Sequence, residues 1–207
     1  MSVPFSAASV KVSITVMNPT LKPSSALQAS GQGENAEPRP AGATSVRRMS
    51  LVRRAVPEDA EELLRLRQVM IDSVFSTDSS TQWHSESLPV VRRRLADPEG
   101  GFVAFVIDHP QRPGALAALV AGTVEYRIGR LGNPHGRVGH VFSVATDPDA
   151  RRRGYARACM ETLLDWFRGQ DVSQVDLNAS AEAEPLYDSL GFVRKPDPSM
   201  RLHLGSA

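Results

Sequence analysis

The segment that most restricts the fold runs from His140 to Gly169, HVFSVATDPDARRRGYARACMETLLDWFRG. Its first seven residues read as a strand, DPDA as a turn, and the remainder as an amphipathic helix of about Arg153 to Arg168 stopped by Gly169. The first turn of any helix carries N–H groups without intrahelical partners and the positive end of the helix dipole, which together form an anion site. Gly154 and Ala156 have little or no side chain, so a phosphate can approach that backbone closely. Arg151, Arg152 and Arg153 beside it add charge-assisted hydrogen bonds. A strand feeding such a helix start is the geometry of a phosphate-bearing cofactor site.

The arginine run has two other readings, a nucleic-acid patch and a solvated turn. With 24 Lys+Arg against 23 Asp+Glu the net charge is +1, and no basic surface interleaved with aromatics accompanies the run. Nucleic acid is therefore not expected as a partner. No apolar stretch approaches the ~20 residues that span a bilayer, and the start, MSVPFSAASVKVSITV, lacks the layout of a secretory signal. A soluble, cytoplasmic protein is expected. The lone Cys159 rules out an internal disulfide framework, and it falls on the stripe Tyr155, Cys159, Leu163, Phe167, where a small core residue is expected rather than a nucleophile. His109, His135 and His203 show no metal-ligand spacing, so no metal is expected.

Residues 1–48 are rich in Ser, Ala, Pro, Gly and Asn without period 2 or 3.6, which predicts a disordered tail ahead of one domain over 49–207. Met49 is a candidate for the true start. SLVRRAV alternates like a strand, and PEDAEELLRLRQVMIDSV has helical periodicity behind Pro57 and a set of acids. A Ser/Thr-rich loop, 76–87, holds Trp83 and His84 and precedes a short helix of about Leu88 to Ala96. FVAFVI, the stretch from Ala115 to about Ile128, and HVFSVAT then predict an antiparallel meander. After the phosphate-site helix, SQVDLNA reads as a strand, PLYDSL as a short helix closed by Gly191, and MRLHL as a final strand. The expected class is α+β.

RRRGYA, residues 151–156, after a strand ending VATDP resembles the acetyl-coenzyme A signature [QR]-x-x-G-x-[GA] of the GCN5-related N-acetyltransferases. QASGQG, 28–33, also fits that pattern but has no strand or helix around it. The later match has a companion, NASAEAEPLYDSLGFV over 178–193, which resembles the family's closing strand and helix. The resemblance covers about residues 50–204. It implies a GNAT-like mixed, mostly antiparallel twisted sheet flanked by helices, with a splay between the fourth and fifth strands where the pantetheine arm of acetyl-CoA lies.

The resemblance further implies that the backbone of Val144, Ala145 and Thr146 holds the arm and acetyl carbonyl. Residues Arg151, Arg152, Arg153, Gly154, Tyr155, Ala156 and Arg157 would surround the pyrophosphate, and Asn178 would contact the arm. The reaction would be direct attack of a primary amine, on a small molecule or a peptide, upon the thioester. Strand alternation places 140, 142, 144 and 146 on one face, and His140 stands where related histone enzymes carry a glutamate base. Glu125 and water are the other candidates for the base, and Tyr187 is the implied acid toward the departing thiolate. Trp83 and His84 would line the acceptor site. A catalytically silent acyl-CoA sensor of the same fold is the alternative function, and a homodimer is left open.

Overall fold

A computed structural model describes residues 51–75, 80–196, 198–202 and 204. The expected tail, its boundary with the domain, and part of the loop before Trp83 lie outside the described residues. Elements follow the order β1 (Val52–Arg54), α1 (Ala60–Phe75), α2 (Trp83–Ala96), β2 (Phe102–Asp108), β3 (Leu116–Tyr126), β4 (Arg137–Thr146), α3 (Tyr155–Gly169), β5 (Val175–Leu177) and α4 (Glu184–Asp188). The sheet order is β1-β2-β3-β4-β5, antiparallel through β4 and parallel between β4 and β5. Only the parallel step needs a long crossover, and α3 supplies it. The mixed sheet flanked by helices matches the expected class.

FVAFVI is apolar throughout because both faces of β2 are covered. Phe102, Ala104 and Val106 pack with Leu63 and Leu66 of α1. Val103, Phe105 and Ile107 pack on the other side with Cys159, Met160, Leu163 and Phe167 of α3. Phe167 lies against two strand glycines: a Cβ on Gly122 would stand 2.9 Å from its ring, and one on Gly139 would stand 3.0 Å away. Gly139→Val should therefore cost about 1–3 kcal/mol of stability by overpacking. Equilibrium urea unfolding checks this; an unchanged midpoint would contradict the packing described.

Cys159 is fully buried, and burial pushes its thiol up to about 12. It is a core residue and an unreactive one. The native protein should stay unlabelled by a thiol-exchange reagent at mildly alkaline pH and label on unfolding, which a colorimetric thiol assay reads.

Two elements differ from expectation. Helix α2 begins at Trp83, ahead of Leu88, with Pro89 inside it. The Trp83 indole N–H donates to Gln68 Oε1 at 3.0 Å, so a bond to α1 anchors a helix start that local composition disguises as loop. The described part of MRLHL forms no strand, and Met200, Leu202 and Leu204 are exposed. Pro196 and Pro198 ahead of it remove ladder donors, and β5 is only three residues long. Among the described residues no helix is long and apolar enough to cross a membrane.

Candidate active site

β4 outruns its neighbour. It pairs with β5 at Gly139↔Val175, His140↔Asp176 and Val141↔Leu177, and beyond Val141 its β5-facing side is open among the described residues. This is the splay between the fourth and fifth strands. On the other side β4 stays paired with β3 as far as Thr146↔Ala118. Antiparallel ladders alternate hydrogen-bonded and non-bonded pairs. Because the Asp147 N–H donates to the Ala117 carbonyl at 2.9 Å, residues 145 and 143 also bond toward β3. The N–H and C=O groups of Val144 and Thr146 therefore face the opening. The Thr146 carbonyl accepts from Arg151 Nε at 3.5 Å there.

The start of α3 lies one turn further on. Gly154 is its N-cap, with φ 75° and ψ 14°, and no side chain caps the helix. Arg152 is also left-handed, with φ 61°. Left-handed residues in such a loop turn N–H groups into an anion-binding concavity, and glycine takes that conformation without strain. Arg152 is exposed, Arg153 donates to the Asp149 carbonyl at 3.2 Å, and Arg157 is joined to Ser189 and lies 3.9 Å from Glu161. The run thus supplies a shaped backbone first and side-chain charge second.

Ion pairs and a histidine hydrogen bond from two elements, α1 and the β2–β3 hairpin, hold this turn. Asp147 receives Arg65 of α1 at 2.8 Å and Arg112 of the β2–β3 hairpin at 2.6 Å. His109 Nε2 lies 2.9 Å from Asp149 Oδ1, and the Gln111 N–H donates to His109 Nδ1, which assigns the Nε2–H tautomer. His109, Asp147 and Asp149 present metal-ligand atoms within 4.8 Å of one another. Two guanidiniums already neutralise the carboxylates, so the cluster is organised as an ion-pair network. Burial works to raise the Asp147 carboxyl, but Arg112 and Arg65 outweigh it and hold the group down at about 2. A depressed folded-state value stabilises above the unfolded value and is lost on acidification, so about 2 kcal/mol should vanish between about pH 5 and pH 2. Asp147→Asn should flatten that part of the urea-midpoint profile; an unchanged acid slope would contradict it.

A register shift between Ala121 and Gly122 places a bulge in β4, where Ala121 opposes Ser143 and Gly122 opposes Val141. The bulge breaks the expected alternation. Val144 packs with the α3 cluster, whereas Phe142 lies 6.1 Å from Phe102 on the α1–α2 face and stacks with His140 at 6.3 Å. His140 and Val144 therefore face opposite ways, and 140, 142, 144 and 146 do not share one face. Beside His140 in the ladder stands Asp176, on the same face by strand alternation. It is buried, with Lys195 Nζ at 2.8 Å and Arg127 at 3.7 Å. Burial raises the Asp176 carboxyl, but Lys195 and Gln174 prevail and hold it below the usual range. Glu125 pairs with Arg127 at 2.7 Å. Asp176 escapes a sequence reading because its neighbour is set by pairing across β4.

Tyr187 and Asn178 meet, together with Asp176 and Lys195, in a groove of about 990 Å³ along β5 and the chain after α4. Tyr187 is 7% exposed, packs against Phe192 with ring centroids 5.9 Å apart, and has its phenol pushed up by burial. Trp83 and His84 stack edge-on at 4.4 Å. His84 Nε2 is buried without a hydrogen-bond partner among the described residues. The bond from Trp83 to Gln68 holds the indole against α1, beside a separate cavity of about 530 Å³ that both residues line.

The Acetyltransferase (GNAT) family model matches residues 69–192. Glucosamine 6-phosphate N-acetyltransferase 1 of Oryza sativa subsp. japonica is 38% identical over 82 residues, 40% of this chain and 48% of that protein. Mycothiol acetyltransferase of Rhodococcus jostii is 28% identical over 148 residues, 66% of this chain and 43% of that protein. The chain spans less than half the length of these curated relatives. A predicted acetyltransferase from Clostridium acetobutylicum, solved with acetyl-CoA, shares the fold at TM-score 0.63 and 20% identity, over 74% of this chain and 95% of that one. The fold, the open edge of β4 beside an uncapped helix start, and a family match over more than half the sequence agree: the chain belongs to the Acetyltransferase (GNAT) family.

Proposed function

We propose that the protein transfers the acetyl group of acetyl-CoA to the primary amine of a small molecule or peptide. The observation that carries this reading is the outward-facing backbone of Val144 and Thr146 beside the uncapped start of α3. Acetyl-CoA supplies the thioester. The N–H groups from Arg152 to Arg157 would receive its pyrophosphate, with Arg151 and Arg153 flanking. Val144, Ala145 and Thr146 would hold the pantetheine arm as an added strand, and Asn178 would contact it from the β5 side. The Val144 N–H, facing the gap, polarises the acetyl carbonyl.

An alkylamine is mostly protonated at neutral pH, so it must lose a proton before it attacks. His140 is the preferred base, because a neutral imidazole nitrogen can accept the amine proton and no ion pair engages the ring among the described residues. Asp176 and Glu125 are already engaged by Lys195 and Arg127, which neutralise them locally and leave them less available to take a proton from the amine. Tyr187, kept protonated by burial, donates to the leaving thiolate. Trp83 and His84 would border only the outer end of a longer acceptor. Thiol release from acetyl-CoA across a panel of polyamines, aminoglycosides, amino acids and peptides tests the reading. Acceptor-dependent release is the expected result; tight binding without turnover would establish the acyl-CoA sensor instead.

A further inference from the structure

Arg67 stands out among the partly buried cations. Five arginines are partly buried among the described residues: Arg53, Arg65, Arg67, Arg137 and Arg157. Arg53 pairs with Asp59 and Asp108, Arg65 with Glu62 and Asp147, Arg137 with Asp171, and Arg157 with Glu161. Arg67 has no carboxylate partner among the described residues, and its one hydrogen bond to them runs from Nη1 to Ser143 Oγ, at 2.5 Å. Burial lowers its pKa with no anion to oppose the shift. Withdrawing a guanidinium from water without a counter-charge is unfavourable, and four of its five N–H donors are left to satisfy.

The place of this residue gives the charge a use. Ser143 is the first residue past the β4 bulge on the α1–α2 face, adjacent in sequence to Val144 and on the same face as His140 and Phe142. The Nε and Nη2 edge of a guanidinium matches two oxygens of a carboxylate or phosphate. His140 lies on that face three residues back along β4, roughly 7–10 Å away, with Asp176 beside it and Glu125 opposite Val138, two residues further; the two acids are paired with Lys195 and Arg127. The face thus presents an uncompensated guanidinium within the length of a small molecule from His140.

We propose that Arg67, oriented by Ser143, binds an oxyanion carried by the acceptor itself, so that the substrate is an amine bearing a carboxylate or a phosphate. This rests on the acetyl-transfer reading above. Its test is steady-state kinetics of the full chain with two acceptor pairs, L-alanine against L-alaninamide and glucosamine 6-phosphate against glucosamine. Acetyl-CoA affinity is measured in parallel by calorimetry.

The wild type should favour the anionic member of one pair, and the responding pair identifies carboxylate or phosphate. Arg67→Met should raise KM for that member about 10- to 100-fold, the scale of lost charged hydrogen bonds. KM for the neutral member and the acetyl-CoA affinity should stay unchanged. Arg67→Lys, which keeps charge without the paired donors, should fall between them and carries the test if the methionine variant does not fold. An anionic preference that survives in both variants, or turnover with neutral amines alone, overturns the proposal and leaves acetyl transfer standing. No thiol release with any amine of the wider panel overturns acetyl transfer, and the Arg67 proposal with it.

Discussion

Gly154→Glu should lower acetyl-CoA affinity at least about 100-fold in titration calorimetry, since two charges about 4 Å apart near a protein surface repel by about 4 kcal/mol. The carboxylate would stand at the positive end of α3, where the N–H groups of the first turn have no side-chain cap. The substitution has a second, separable effect. Gly154 has φ 75°, and a side chain there adds about 1–2 kcal/mol of left-handed strain. That strain is present with and without ligand, so it lowers thermal stability and leaves affinity alone. Gly154→Ala carries the strain without the charge and should keep most of the affinity. Equal losses in the two variants would mean that backbone shape, and not anion exclusion, accounts for the result.

Tyr187→Phe should reduce kcat about 100-fold, within the range for general acid–base groups, while KM for both substrates changes little. The ring's packing against Phe192 survives, so the variant should be as stable as the wild type. Only the hydroxyl, and with it the transferable proton, is removed. Because burial raises the phenol, the wild-type rate should be sustained beyond the ordinary tyrosine value of about 10 before an alkaline limb sets in, and the variant should lack that limb. A kcat within about threefold of wild type would reduce Tyr187 to a core aromatic.

The α3 region is legible in the sequence because both of its signals are local. A strand ending at Thr146 and a bare Gly154 ahead of an apolar stripe are enough to aim a helix start at a strand end, and the structure has that arrangement. Cys159 follows from the same stripe. The acceptor face is less legible for a physical reason: its residues are set by register. Nothing local marks Phe142 as the extra residue of a bulge, which depends on how Ala121 and Gly122 meet β4. Asp176 gains its place from a parallel pairing with His140, and Arg67 from α1 crossing Ser143, 76 residues away. His109 meets Asp149 across 40 residues, so its partner is likewise absent from any spacing rule. Trp83 read as loop because the bond that anchors its helix is tertiary.

The central claim is that the far side of β4 is an unfinished ladder that acetyl-CoA completes. Amide hydrogen exchange of the whole protein by NMR, with and without acetyl-CoA, tests it most directly. Exchange at Val144 and Thr146 should slow on binding, while Ala145, already bonded toward β3, should change little. Saturating acetyl-CoA that leaves Val144 and Thr146 exchanging as before would contradict the account.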